Sequence, residues 1–86
     1  MVDCLAILRS GNYALALCSI LERKGYVFEV VSIPCQIARE GCGYCLKFPE
    51  IYKDLVIKEG TSNGLVILEM YRVQPGFNKN RYIKIL

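Results

Sequence analysis

The sequence predicts an α+β domain, a ferredoxin-like βαββαβ two-layer sandwich in which an antiparallel sheet carries two helices on one face. Three observations lead there. Two segments with apolar residues at helical spacing alternate with short runs rich in β-branched and aromatic residues. The order is β-α-β, connector, β-α-β, and two such halves fit within 86 residues. The composition, 53% hydrophobic and 22% charged with no low-complexity tract, belongs to a folded chain and not to a disordered one. Another small two-layer α/β arrangement with a different strand order satisfies the same pattern, and the sequence does not separate the two.

Val2 to Leu8 is a short apolar run stopped by Arg9-Ser10-Gly11, as expected of a buried first strand. Ser10 is placed to cap a helix in which Tyr13, Ala14, Leu17, Cys18 and Leu21 recur on one face. Arg23 and Lys24 suit its last turn, and Gly25 is a left-handed stop. Tyr26 to Ile33 reads as the second strand, ended by Pro34. Gln36 to Glu40 has room for one helical turn. Tyr44, Leu46 and Phe48 then alternate with Cys45 and Lys47 at strand period. Pro49 opens a second helix from Glu50 to about Glu59, with Ile51, Leu55 and Lys58 along one stripe and Tyr52, Val56 and Glu59 beside it. Gly60-Thr61-Ser62-Asn63-Gly64 is turn chemistry. Leu65 to Val73 is the fourth strand, broken by Gln74-Pro75-Gly76, and Tyr82 to Leu86 adds a short final one.

At 86 residues the chain forms a single domain, 1–86, with a core sandwich over 1–74 and a basic segment over 75–86. It contains no histidine, which excludes Ser-His-Asp triads, Cys-His pairs and imidazole metal sites. The net charge of +3 is unevenly placed: beyond Glu69 the only charged residues are Arg72, Lys79, Arg81 and Lys84, leaving about −1 on residues 1–69. A basic end can meet an anion or keep a sheet edge soluble. Tyr71, Phe77 and Tyr82 interleave with these cations, but alternating aromatics are also what strands prefer, and nucleic acid is not expected. The carboxylate pairs Glu50/Asp54 and Glu22/Glu29 have no spacing that demands acid–base work. No basic region precedes the first apolar run and no run approaches the ~20 residues of a membrane span, so the chain is expected to be cytoplasmic, off the membrane, with reduced thiols.

Five cysteines, an odd number, argue against a disulfide framework. Cys4, in an aliphatic strand, and Cys18, on a helical apolar stripe, read as core. Cys35, Cys42 and Cys45 cluster on a glycine-bearing connector and are the candidate chemical residues. Cys42 stands between Gly41 and Gly43, which allow a substrate or partner close approach, while Arg39 and Lys47 are near enough in sequence to favour its thiolate. Cys42-Gly43-Tyr44-Cys45 has dithiol spacing. Three extended steps cover about 10 Å, so a local disulfide needs the strand to begin after Cys45. Cys35 is a second resolving candidate. One C-x2-C with one extra cysteine falls short of a four-ligand zinc site, and neither metal nor cofactor is expected.

Ser32-Ile33-Pro34-Cys35-Gln36-Ile37, followed by Gly41-Cys42-Gly43-Tyr44-Cys45-Leu46-Lys47-Phe48, resembles the putative selenium/sulfur carrier protein-like family of small bacterial domains over roughly residues 4–73. By position, Cys42 matches that family's cysteine, Gly43 its following glycine and Pro34 the proline opening the connector. Cys35 departs from the basic residue the resemblance leads one to expect, and the connector is about one residue longer. The resemblance implies a relay module rather than an enzyme, passing a persulfide or selenopersulfide via Cys42 between sulfur or selenium donor and acceptor proteins. Two other readings fit the residues: a small thiol-disulfide redox protein, and a non-catalytic interaction domain using a sheet edge or the basic tail. A homodimer paired through a sheet edge is compatible with each.

Overall fold

The computed structural model describes residues 2–38 and 43–86. Its elements are β1 (Asp3–Ile7), α1 (Gly11–Arg23), β2 (Glu29–Ser32), β3 (Tyr44–Pro49), a 3-10 turn (Glu50–Tyr52), α2 (Lys53–Ser62), β4 (Glu69–Gln74) and β5 (Arg81–Lys84). The strands form one sheet in the order β2-β3-β1-β4-β5, with every neighbouring pair antiparallel. Each β-α-β half straddles a strand of the other, an order compatible with the ferredoxin-like arrangement, and β5 is added beyond β4.

One pleat of the sheet and the inner faces of both helices make the core. Cys4, Ala6 and Leu8, with Leu46, Phe48 and Met70, pack against Ala14, Leu17 and Leu21 of α1 and Val56 of α2. The register explains the grouping, since Cys4 lies opposite Phe48 and Arg72, and Ala6 opposite Leu46 and Met70. Both helices therefore lie on one face, as the two-layer expectation required.

Local chemistry sets the helix ends. The Ser10 side chain accepts a hydrogen bond from the Tyr13 N–H at 3.3 Å. At the other end of α1, Gly25 adopts φ 95°. The Gly25 N–H donates to Glu22 O at 3.0 Å and the Tyr26 N–H to Leu21 O at 2.9 Å, closing a Schellman motif. Pro49 precedes the 3-10 turn that leads into α2, close to the predicted helix start.

Of the boundaries that differ from the sequence reading, three have a clear physical cause. β2 starts at Glu29 because Tyr26 and Phe28 are drawn into an aromatic cluster: each ring lies 5.5 Å from Tyr52, and Phe28 lies 6.0 Å from Phe48. β4 starts at Glu69 because β1 ends opposite it; one further bond, Leu68 N–H to Ile7 O at 2.8 Å, finishes the pairing. Gly60 is buried inside α2, not in the turn after it, and a Cβ there would stand 2.6 Å from the Leu65 carbonyl oxygen. Gly60→Ala is expected to cost about 1–3 kcal/mol by overpacking, despite alanine's better helix propensity. An unfolding midpoint in urea at or above the wild-type value contradicts this.

The 3-10 turn is tied to β4 by a forked ion pair in which Arg72 Nε donates to Glu50 Oε1 at 2.9 Å and Arg72 Nη2 to Glu50 Oε2 at 2.6 Å. Hydrogen bonding from Arg72 holds the Glu50 carboxyl below its ordinary 4.5. A carboxylate depressed in the folded state stabilises above its unfolded pKa, and that contribution is lost as pH falls through the folded value. Glu50→Gln should therefore be less stable than wild type near neutrality, with the gap closing as pH falls below the ordinary carboxyl value. A gap of constant size across that range contradicts the assignment.

Candidate functional site: the β2–β3 connector and its thiols

The connector leaves β2 at Ser32 and returns to β3 through Gly43. The ladder continues one step past the Ser32–Tyr44 pair, with the Ile33 N–H donating to Gly43 O at 2.9 Å. A Cβ on Gly43 would stand only 3.2 Å from Ile33 Cδ1, so glycine lets the two backbones close here without crowding. The Pro34 carbonyl then accepts from the N–H groups of both Ile37 and Ala38 at 3.0 Å, forming a turn over residues 35–37. Arg39, Glu40, Gly41 and Cys42 lie outside the described residues. The first turn of α1 borders the same end of the sheet: a Cβ on Gly11 would be 3.3 Å from the ring of Tyr44, the second residue of the returning chain.

The described thiols occupy different environments. Cys4 is fully buried, its thiol pushed up to about 11, chiefly by burial and next by the Glu50 charge, with Arg72 and Lys53 opposing. Cys18 is partly buried and its Sγ donates to Phe28 O at 3.4 Å; burial first, then Glu22, raises its pKa. Cys45 is also fully buried, and burial alone pushes it up to about 11. Cys45 sits on the pleat opposite Leu46 and Phe48, away from the helices, beside Val31 of β2. Cys35, on the turn, is exposed. All four are free thiols.

β3 begins at Tyr44, so Cys45 is already in the ladder and the late strand start needed for a local Cys42–Cys45 bond is absent. Lys47 is engaged elsewhere, with Nζ 3.7 Å from Glu29 Oε1 and 3.9 Å from Asp3 Oδ2. It also lies three residues along the strand from Tyr44, about 10 Å. Of the residues singled out in the sequence, Cys35 and Gly43 share the connector with Pro34, whereas Cys45 and Lys47 belong to the sheet.

The two thiols pushed furthest, Cys4 and Cys45, give the fold an alkaline liability. A thiol whose pKa is raised on folding contributes stability that is fully present below the unfolded value of 9.0 and is lost as pH rises through about 11. Stability should be level up to about pH 9 and fall beyond it, and Cys4→Ala with Cys45→Ala should flatten that fall. Equal alkaline slopes in wild type and the double variant contradict the assignment.

The basic end is less uniform than its sequence. Arg72 is forked onto Glu50, Lys84 Nζ lies 3.3 Å from Glu69 Oε2, and Tyr71 is buried with its hydroxyl 3.3 Å from Glu69 Oε1. The Glu50–Arg72 pair, 22 residues apart, had no sequence signal beyond opposite charge. Among the described residues no three metal-ligating side chains converge, and no helix is long and apolar enough to cross a membrane.

A family model described as "Putative Se/S carrier protein-like" matches residues 3–72. No curated protein and no solved structure matches the chain. The matched span runs from β1 into β4 and includes the whole connector, and the chain belongs to this selenium/sulfur carrier protein-like family.

Proposed function

We propose that the protein carries sulfur or selenium as a persulfide or selenopersulfide on Cys42, between a donor and an acceptor protein. The family assignment over residues 3–72 is the observation that carries this reading. The thiol environments support it by subtraction: packing accounts for Cys4, Cys18 and Cys45, which leaves the two connector cysteines, Cys35 and Cys42.

Cys42 is bonded to Gly43, the residue through which the connector enters β3, and Gly41 on its other side gives a partner's persulfide the same close access. With no histidine as base, the reading takes Arg39, three residues away in the sequence, as the cation that favours the thiolate. In loading, the Cys42 thiolate attacks the terminal sulfur of a donor persulfide. The donor S–S bond breaks, the donor leaves as its thiolate, and Cys42 holds the new persulfide. A terminal selenium transfers by the same electron flow. Delivery is the mirror step, with an acceptor thiolate attacking the outer atom and Cys42 leaving as thiolate. An exposed Cys35 thiolate attacking Cys42 Sγ would instead release hydrosulfide and leave a Cys35–Cys42 disulfide. Cys45 takes no part, since its buried thiol stays protonated at working pH.

Timed alkylation of the reduced protein, resolved by peptide mass spectrometry, tests the ranking. Cys42 should react first and Cys35 next. Cys4 and Cys45 should be nearly silent, since at pH 8 a thiol of pKa near 11 is ionised to roughly one part in a thousand. A Cys42 as inert as Cys4 overturns the proposal.

A further inference from the structure

β4 and β5 are joined by residues 75–80, and every residue from Gln74 to Arg81 is exposed. The turn is tight: a Cβ on Gly76 would overlap the Lys79 carbonyl oxygen, so only glycine lets the chain close there. At its tip Phe77 is 102% exposed, with no apolar neighbour covering the ring. Lys79 and Arg81 beside it have no carboxylate partner among the described residues, whereas Arg72 and Lys84 at the hairpin's base are held by Glu50 and Glu69. No acidic residue follows Glu69 in the chain. The hairpin's tip and β5 also lie beyond residue 72, where the span shared with the family ends.

We propose that this tip, Phe77 with Lys79 and Arg81, is a docking knob that enters an apolar pocket ringed by carboxylates on another protein. Its chemistry selects that partner over the alternatives. Single-stranded nucleic acid needs a row of stacking rings and free cations, but Tyr71 is buried and Arg72 and Lys84 are already neutralised. A bilayer needs more than one ring and two charges for stable attachment. A protein pocket can enclose a single aromatic anchor on all sides, and the Arg81 fork matches a carboxylate in two bonds. Under the carrier reading, on which this identification of the partner rests, the partner is the sulfur donor or acceptor. The knob itself does not involve Cys42.

The test selects random dodecapeptides displayed on phage against the full chain immobilised by its N-terminus. Enriched peptides should be rich in aspartate and glutamate around one large apolar residue. A synthetic peptide of the leading sequence should bind Phe77→Ala about tenfold more weakly, and Lys79→Ala/Arg81→Ala several-fold more weakly, the latter gap closing in about 0.5 M salt. All three positions are exposed, so the variants should keep the wild-type melting temperature. Peptides without acidic bias, or peptides that bind Phe77→Ala as well as wild type, overturn the proposal. So does Phe77-dependent capture of oligouridine or phosphatidylserine vesicles in place of peptide. Cys42→Ser should bind the peptide normally. Intact peptide binding in a protein that never loads sulfur would sink the carrier reading alone.

Discussion

Phe48→Ala is expected to destabilise the protein by about 3–5 kcal/mol, more than any other single core truncation. Phe48 is the largest fully buried side chain, and it sits in β3 between β2 and the central strand β1. It is paired with Cys4 and packed 6.0 Å from Phe28, at the inner edge of the aromatic cluster formed with Tyr26 and Tyr52. Truncation removes the contacts of a whole ring and leaves a void that β3, fixed by ladders on both sides, cannot collapse to fill. Small domains typically have about 5–15 kcal/mol to lose, so much of the stability would go. Urea unfolding followed by circular dichroism reads the effect directly. A loss below about 1 kcal/mol would mean that Phe48 does not organise the core.

The second large effect concerns chemistry. Cys42→Ser should abolish sulfur loading from a cysteine desulfurase charged with cysteine, because serine's hydroxyl is not ionised near neutral pH and cannot take over a sulfane sulfur. Cys35→Ser should load normally, and it should hold the persulfide longer if Cys35 is the thiol that discharges it. Cys45→Ala should load at close to the wild-type level, since the Cys45 thiol is buried and protonated. Residual loading of Cys42→Ser at the wild-type level would shift the carrier site to another thiol, with exposed Cys35 the first to examine.

The parts of this structure legible in the sequence are those set by local chemistry. Ser10, Gly25 and Pro49 mark helix ends because a cap, a positive φ and a fixed φ act within a few residues. The alternation of Leu46 and Phe48 gives the helix-facing pleat of β3 for the same reason. Other features answer to distant partners. Where β4 begins depends on where β1 ends, and where β2 begins depends on the aromatic packing of Tyr26 and Phe28. Gly60 looks like a helix breaker until Leu65 folds back over it. Cys45 alternates with core residues and so reads as facing outward, yet its pleat is also closed, with Leu5 and Tyr71 buried on the same side. Phe77 is plain in the sequence, but its full exposure on a glycine-closed turn is not. Cys42 is the reverse case: its interest comes from its neighbours Gly41 and Gly43, from the absence of histidine and from the family to which the chain belongs.

The most direct measurement is peptide-resolved mass spectrometry of the wild-type protein after incubation with a cysteine desulfurase and cysteine, with free thiols trapped by rapid alkylation. The carrier account predicts one added sulfur on the peptide containing Cys42, removable by reductant, with Cys4, Cys18 and Cys45 unmodified. Sulfur found on another cysteine, or no added sulfur while a control acceptor in the same tube is loaded, would contradict it.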